Sequence, residues 1–274
     1  MTIVIGVSAP DGLILAADSR TTVLRPDGSG SVRPRIASDN AEKVFDVCGG
    51  YAVATFGDAF IGNQTIAGLM SEFEATVDGE DLPVEDFADR LGDYFNKRYA
   101  DARAAAGDPV RPDEIGHLGF LIGGYDGGGV GHICEVLIPD GKRTDTDLNT
   151  ADETGFVFRG MTDVINRLMR GVDWEAIGRV GIVVDSKLEK DLDGVTYEVN
   201  YPITVQDAID LAVFLVRTTI DMQRFSDGVV AQPGGWSGCG GPINVIALQQ
   251  DGVEWVSSPV LQVRHRGGQA EGAL

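Results

Sequence analysis

The chain has 274 residues, 43% of them hydrophobic, which is length enough to bury a substantial core without disulfide or metal staples. A formal net charge of −20 repels nucleic acid and anionic membrane and excludes both as expected partners, although the same acidity also suits a merely solvated face. Three cysteines (Cys48, Cys134, Cys239) and three histidines (His117, His132, His265) are scattered without ligand or nucleophile–base spacing. That sets aside zinc, serine–histidine and cysteine–histidine chemistry, and it fits a reducing cytoplasm; no cofactor or metal is expected.

The chain opens without a basic segment or a long apolar run, so neither a signal peptide nor a membrane anchor is expected. Thr2–Val7 and Leu13–Ala17 read as strands around the turn sequence SAPDG, and a Gly-, Pro- and Arg-rich loop, VLRPDGSGSVRPR, follows. KVFDV and YAVATFG make a hairpin across Gly-Gly. The period then changes: Ile61–Phe73 predicts one helix, and Phe87, Leu91, Phe95 and Tyr99 predict a second that AGDP stops. LGFLIGGY and VGHICEVLIP return to strand around a glycine-rich turn, which lacks the phosphate-loop pattern and reads as a hairpin. GFVFRG is a further strand, and MTDVINRLMRG a short helix closed by Gly171.

Residues 172–200 give no clear period. Thr204 with Asp207 resembles a capping box, opening a long helix whose buried stripe is Val205, Ala208, Ala212, Leu215 and Thr219. GGPINVIALQQDG and VEWVSSPVLQV close the chain as a strand pair before a polar tail. The order strands, two helices, strands, helices, strands predicts two antiparallel sheets face to face with helices outside. A single domain over 1–262 is expected, with insertions near 23–32 and 172–200 and a flexible tail at 263–274.

Two features carry chemistry. If Met1 is removed, the hydroxyl and the α-amine of Thr2 belong to one residue. An α-amine titrates at about 7.7–8.0, so near neutrality it can take the hydroxyl proton and activate threonine without histidine. Asp18 ends the apolar run LILAAD, where a carboxylate needs a cation or hydrogen-bond donors, and Lys43 opens the strand KVFDV. An Asp18–Lys43 pair at neighbouring strand ends would set an ammonium beside Thr2; a purely structural ion pair has the same signature.

The segments TIVIGV, DGLILAADSRTT, KVFDV and YAVATFGDA resemble the proteasome β-subunit family, the threonine members of the N-terminal-nucleophile hydrolases. Thr2 precedes Asp18 by sixteen residues and Lys43 precedes Gly57 by fourteen, as in that family. The match is specific over residues 2–60 and looser beyond. The resemblance implies a four-layer αββα sandwich of α+β class, with Thr2 as nucleophile, Asp18 and Lys43 as its charge pair, and the Gly57 N–H in the oxyanion hole. It implies that Arg20 is a structural charge partner, that Thr21 and Thr22 contact the substrate backbone, and that Ala41, Phe45, Thr55 and Ala59 line an apolar specificity pocket. Substrates would be peptides or unfolded proteins, and the assembly a cytoplasmic homo-oligomer.

Departures stand beside the match. Asp18 and Lys43 are twenty-five residues apart, nine more than the resemblance implies. Where the family has a serine between glycines, this chain has Met161, and the family's Asp-x-x-Ser-Gly is broken, leaving Asp221 with Ser226 or Ser237 as substitutes. Only Met1 precedes Thr2 in place of a propeptide. A diverged bacterial relative fits these departures. Three functions stay open: a threonine hydrolase of peptide or amide bonds, a catalytically impaired scaffold of the same fold, and a small-amide hydrolase.

Overall fold

A computed structural model describes residues 2–26, 32–108, 118–151, 154–179, 181, 187, 196–199, 201–225 and 238–257. The first hairpin is β1 (Ile3–Ala9) with β2 (Gly12–Ala17), every residue of both strands buried. Such uninterrupted burial requires cover on both faces, and the apolar sequence of both strands supplies it. β1 and β2 are central in a sheet of order β12-β1-β2-β13-β14, formed with β12 (Gly155–Gly160), β13 (Asn244–Gln249) and β14 (Gly252–Ser257). The second sheet runs β11-β10-β9-β6-β5, from β5 (Val44–Val47), β6 (Tyr51–Gly57), β9 (Leu118–Tyr125), β10 (Gly131–Ile138) and β11 (Arg143–Asn149). Every pairing in both sheets is antiparallel.

Three apolar layers fix the stacking. Val4, Leu13, Leu15, Val44, Ala54, Leu121 and Ile246 fill the space between the sheets. Helices α1 (Ile66–Val77) and α2 (Val84–Ala105) cover the second sheet through Leu69, Phe73, Phe87, Leu91 and Phe95. Helices α3 (Asp163–Met169) and α5 (Val205–Phe225) cover the first through Ile165, Ala208, Ala212 and Leu215. A short α4 (Trp174–Arg179) lies between them in sequence. The result is the four-layer αββα sandwich expected from the element order. The capping box also forms: Asp207 N donates to Thr204 Oγ1 at 3.1 Å, and Thr204 N to Asp207 Oδ2 at 3.3 Å.

Two local expectations change, and one strand was not foreseen. The Gly/Pro/Arg-rich loop is in part a ribbon, β3 (Thr21–Pro26) paired with β4 (Val32–Ser38), because β-branched Thr21, Thr22, Val23, Val32 and Ile36 tolerate extension even beside prolines at an isolated edge. The first helix starts at Ile66, not Ile61. Gly62 turns with φ +59° between β7 (Phe60–Ile61) and β8 (Gln64–Thr65), and the Thr65 hydroxyl then caps Gly68 N at 3.1 Å. The polar run Arg143–Asn149, which has no apolar alternation, is nevertheless the edge strand β11. The tail 263–274 and most of 182–195 lie outside the described residues.

α2 approaches the β10–β11 turn so closely that a Cβ on Gly92 would stand 2.0 Å from the Gly141 carbonyl oxygen. Alanine is the better helix former by about 1 kcal/mol. Even so, Gly92→Ala is expected to lower stability, by about 1–3 kcal/mol, because helix and turn must separate. The midpoint of urea unfolding measures it.

Candidate active site

β1 and β2 run antiparallel, so the residue before β1 and the residue after β2 meet at one end of the first sheet. Asp18 there is fully buried, and its carboxylate is held by four segments. Oδ1 accepts from Ile3 N at 3.1 Å and from Lys43 Nζ at 2.9 Å. Oδ2 accepts from Arg20 N at 3.1 Å and from Gly240 N at 3.0 Å. Each oxygen thus receives two donors, which offsets the desolvation of a charge in an apolar sheet. Lys43, 5% exposed at the entry to β5, also donates to the Arg20 carbonyl at 2.6 Å. The lysine therefore bridges the two sheets next to the start of β1.

Thr2 is itself 4% exposed, and its carbonyl accepts from Met161 N at 2.8 Å. Gly160 makes that contact possible. Its φ is +90°, and a Cβ there would lie 2.0 Å from the Thr2 carbonyl oxygen. Gly57 ends β6 with φ +92°, exposed, two residues beyond Thr55, whose N–H donates to the Lys43 carbonyl at 2.8 Å.

Arg20 forms a two-point ion pair with Asp39, Nε to Oδ1 at 2.6 Å and Nη2 to Oδ2 at 3.0 Å. The guanidinium holds the Asp39 carboxyl below its ordinary range. Since β3 departs just after Arg20 and β4 returns just before Asp39, this pair closes the base of the ribbon. Thr21 is buried as the first residue of β3, and Thr22 beside it has a buried hydroxyl with no hydrogen-bond partner among the described residues. Ala41 is half-buried and donates its N–H to the Ser19 carbonyl at 2.9 Å. Phe45 packs in the core under α1 and α2, Thr55 donates its hydroxyl to the Gly119 carbonyl at 3.3 Å, and Ala59 is half-buried.

A cavity of about 770 Å³ lies elsewhere, lined by Pro10, Asp11, Tyr125, Thr204 and Gln250 among others. It adjoins the β1–β2 turn, roughly 20 Å of strand from Thr2, and none of the candidate residues lines it.

The far side of the site is built by residues that sequence reasoning passed over. Gln223, 4% exposed on α5, accepts from Cys239 N at 2.9 Å, and its Nε2 lies 3.3 Å from Met161 Sδ. A signal was present: Gln223 continues the stripe Ala208, Ala212, Leu215, Thr219 as its one long polar member. Asp221 is half-buried two residues earlier, a rotation of about 200° from Gln223 around the helix. Ser226 and Ser237 lie outside the described residues. Cys239 is fully buried, and burial followed by the Asp18 charge pushes its thiol well above the ordinary range, so it stays protonated. Among the described residues no cluster of three or more histidine, cysteine or acidic side chains is arranged to hold a metal, and no helix is long and apolar enough to cross a membrane.

No protein-family model matches the chain, and no curated protein matches it. Among solved structures it is similar to the Anbu (Gly-1) mutant from Hyphomicrobium sp. strain MC1, with a TM-score of 0.55 at 16% identity, over 94% of this chain and 85% of that one. That likeness is one of fold: a mixed α/β architecture with antiparallel sheets and helices packed on them.

The Asp18–Lys43 pair yields a stability test. Lys43→Ala leaves the Asp18 carboxylate buried without its cation and is expected to cost about 3–5 kcal/mol. Asp18→Asn combined with Lys43→Met removes both charges and should cost less than Lys43→Ala alone. Chemical unfolding of the three proteins reads the order.

Proposed function

We propose that this chain is a threonine-type N-terminal-nucleophile hydrolase of peptide or amide bonds. The observation that carries the reading is the buried Lys43–Asp18 pair, tied through Asp18 Oδ1 to the N–H of the residue after Thr2. An ammonium held there favours the deprotonated form of a nearby hydroxyl.

In the proposed reaction, loss of Met1 frees the α-amine of Thr2. Thr2 Oγ attacks the substrate carbonyl carbon and passes its proton to that amine, directly or through water. The Gly57 N–H meets the developing oxyanion, a contribution of roughly 3–4 kcal/mol for one donor. The C–N bond breaks as the leaving amine takes the proton, and water hydrolyses the threonine ester, restoring the hydroxyl. Peptides and unfolded proteins suit the reading, with Thr21 and Thr22 as candidate backbone contacts and Ala41, Phe45, Thr55 and Ala59 as a candidate apolar pocket wall.

We further propose a cytoplasmic homo-oligomer. α5 exposes Phe214, Met222 and Phe225, spaced to share one helix face, and self-association would cover them. A catalytically impaired scaffold is the second reading, and Met161 favours it, since a thioether at that position offers only a weak acceptor in place of a hydroxyl.

In Met1-free protein, established by intact mass, a β-lactone or epoxyketone probe is expected to add covalently at Thr2. Thr2→Ala should lose nearly all hydrolysis of an unstructured peptide library while keeping fold and assembly. A Met1-free protein that neither takes the probe nor cleaves the library is the scaffold. Light scattering should return a mass above the 29.1 kDa monomer, and Phe214→Ser with Phe225→Ser should shift it toward the monomer.

A further inference from the structure

Asp163 opens α3 with 7% exposure, and among the described residues neither of its carboxylate oxygens has a hydrogen-bond partner. One turn later Asn166, 8% exposed, carries a third buried oxygen without a donor. Buried polar groups are paired in the great majority of cases, so three orphan acceptors on adjacent turns of a single helix require an explanation. Arg167, the nearest cation on α3, donates to Asp173 at 3.1 Å. Burial pushes the Asp163 carboxyl up against the opposing Arg167 charge and the N–H of Val164, so a closer cation would still stabilise it.

The fold fixes where that cation would come from. β1 and β12 pair antiparallel with Ile3 opposite Gly160, and Met161 N donates to the Thr2 carbonyl. The chain leaving β12 therefore passes the start of β1 and enters α3 at Asp163 two residues later. Cys239, which contacts the same region through Gln223, feels the charges of both Asp18 and Asp163. Asp18 is thus fully paired at the start of β1, and Asp163 follows by two residues the Met161 N–H that meets the Thr2 carbonyl.

We propose that Asp163, with Asn166 Oδ1 beside it, is the acceptor for the α-amine that Met1 removal creates at Thr2, and so is a positioning residue for the nucleophile. This inference rests on the hydrolase reading above. An α-ammonium supplies three donors, and three acceptors await one. Holding the amine by its other hydrogens turns its lone pair toward its own hydroxyl. After attack, the carboxylate stabilises the ammonium that has received the hydroxyl proton. The role that the family assigns to a serine at the Met161 position would then fall to an acid two residues further on.

The test titrates the Thr2 α-amine in full-length Met1-free protein, from the pH dependence of its trace acylation by acetic anhydride, read by mass on the N-terminal peptide. The charged groups around Asp163 are Arg167 and Asp173 on its own side, and Cys239 with the Asp18–Lys43 pair on the other. All of them are kept in the variants. Asp163→Asn and Asp163→Ala are each expected to lower the amine midpoint by about one pH unit, the effect of losing a nearby opposite charge. Asp93→Asn, exposed on α2, should leave it in place. A midpoint unchanged or raised in whichever neutral variant folds overturns the proposal. The titration needs no turnover, so its failure is distinct from that of the hydrolase reading, which the covalent probe decides separately.

Discussion

The Asp18 carboxylate is the point on which the structure turns. It is a full charge at the end of two strands that are otherwise buried throughout, and an isolated carboxylate in that place would cost far more than a domain's net stability. Its four donors come from positions 3, 20, 43 and 240, so it can be satisfied only when the start of β1, the end of β2, the entry to β5 and the approach to β13 have converged. Hydrogen bonds to charged groups contribute about 1.5–3 kcal/mol each, and four of them oppose a desolvation penalty of several kcal/mol. The same geometry that neutralises Asp18 sets Lys43 on the oxygen that also receives the N–H of Ile3, the residue after Thr2. Structural requirement and candidate chemistry share one ion pair.

Around that pair the sandwich has two unlike sides. On the side of β3 and β4, the Arg20–Asp39 ion pair closes a ribbon that accounts for part of the long Asp18–Lys43 separation. Opposite it, α5 reaches in with Gln223, whose amide spans Cys239 and Met161. An amide can donate and accept at once, so one side chain ties the segment that donates to Asp18 to the segment that donates to Thr2. Met161 is thus met by a long polar side chain from a neighbouring helix.

The 770 Å³ cavity at the far end of the sheets shows that volume and chemistry need not coincide. Its lining is mostly polar and it contains none of the paired charges. At the Thr2 end, the polar groups are packed against one another.

The sequence by itself determined the periodic elements. Uninterrupted apolar runs became central strands, four-residue steps such as Phe87, Leu91, Phe95 and Tyr99 became the inner face of α2, and Thr204 with Asp207 became a cap. These are local properties, set by side-chain direction within one element. Asp18 and Lys43 meet for a related reason: each stands at a strand terminus, and strand order brings termini together. Only the tertiary structure decided the rest. β11 is a strand because β10 offers an edge, although its own residues are polar. The Gly/Pro/Arg-rich loop became a ribbon for the same reason, each half supplying the other's hydrogen bonds. Gln223, Cys239 and Asp163 acquire meaning from partners that lie 16 to 62 residues away, or from having none, and burial of a polar group against distant chain leaves no periodic trace in sequence.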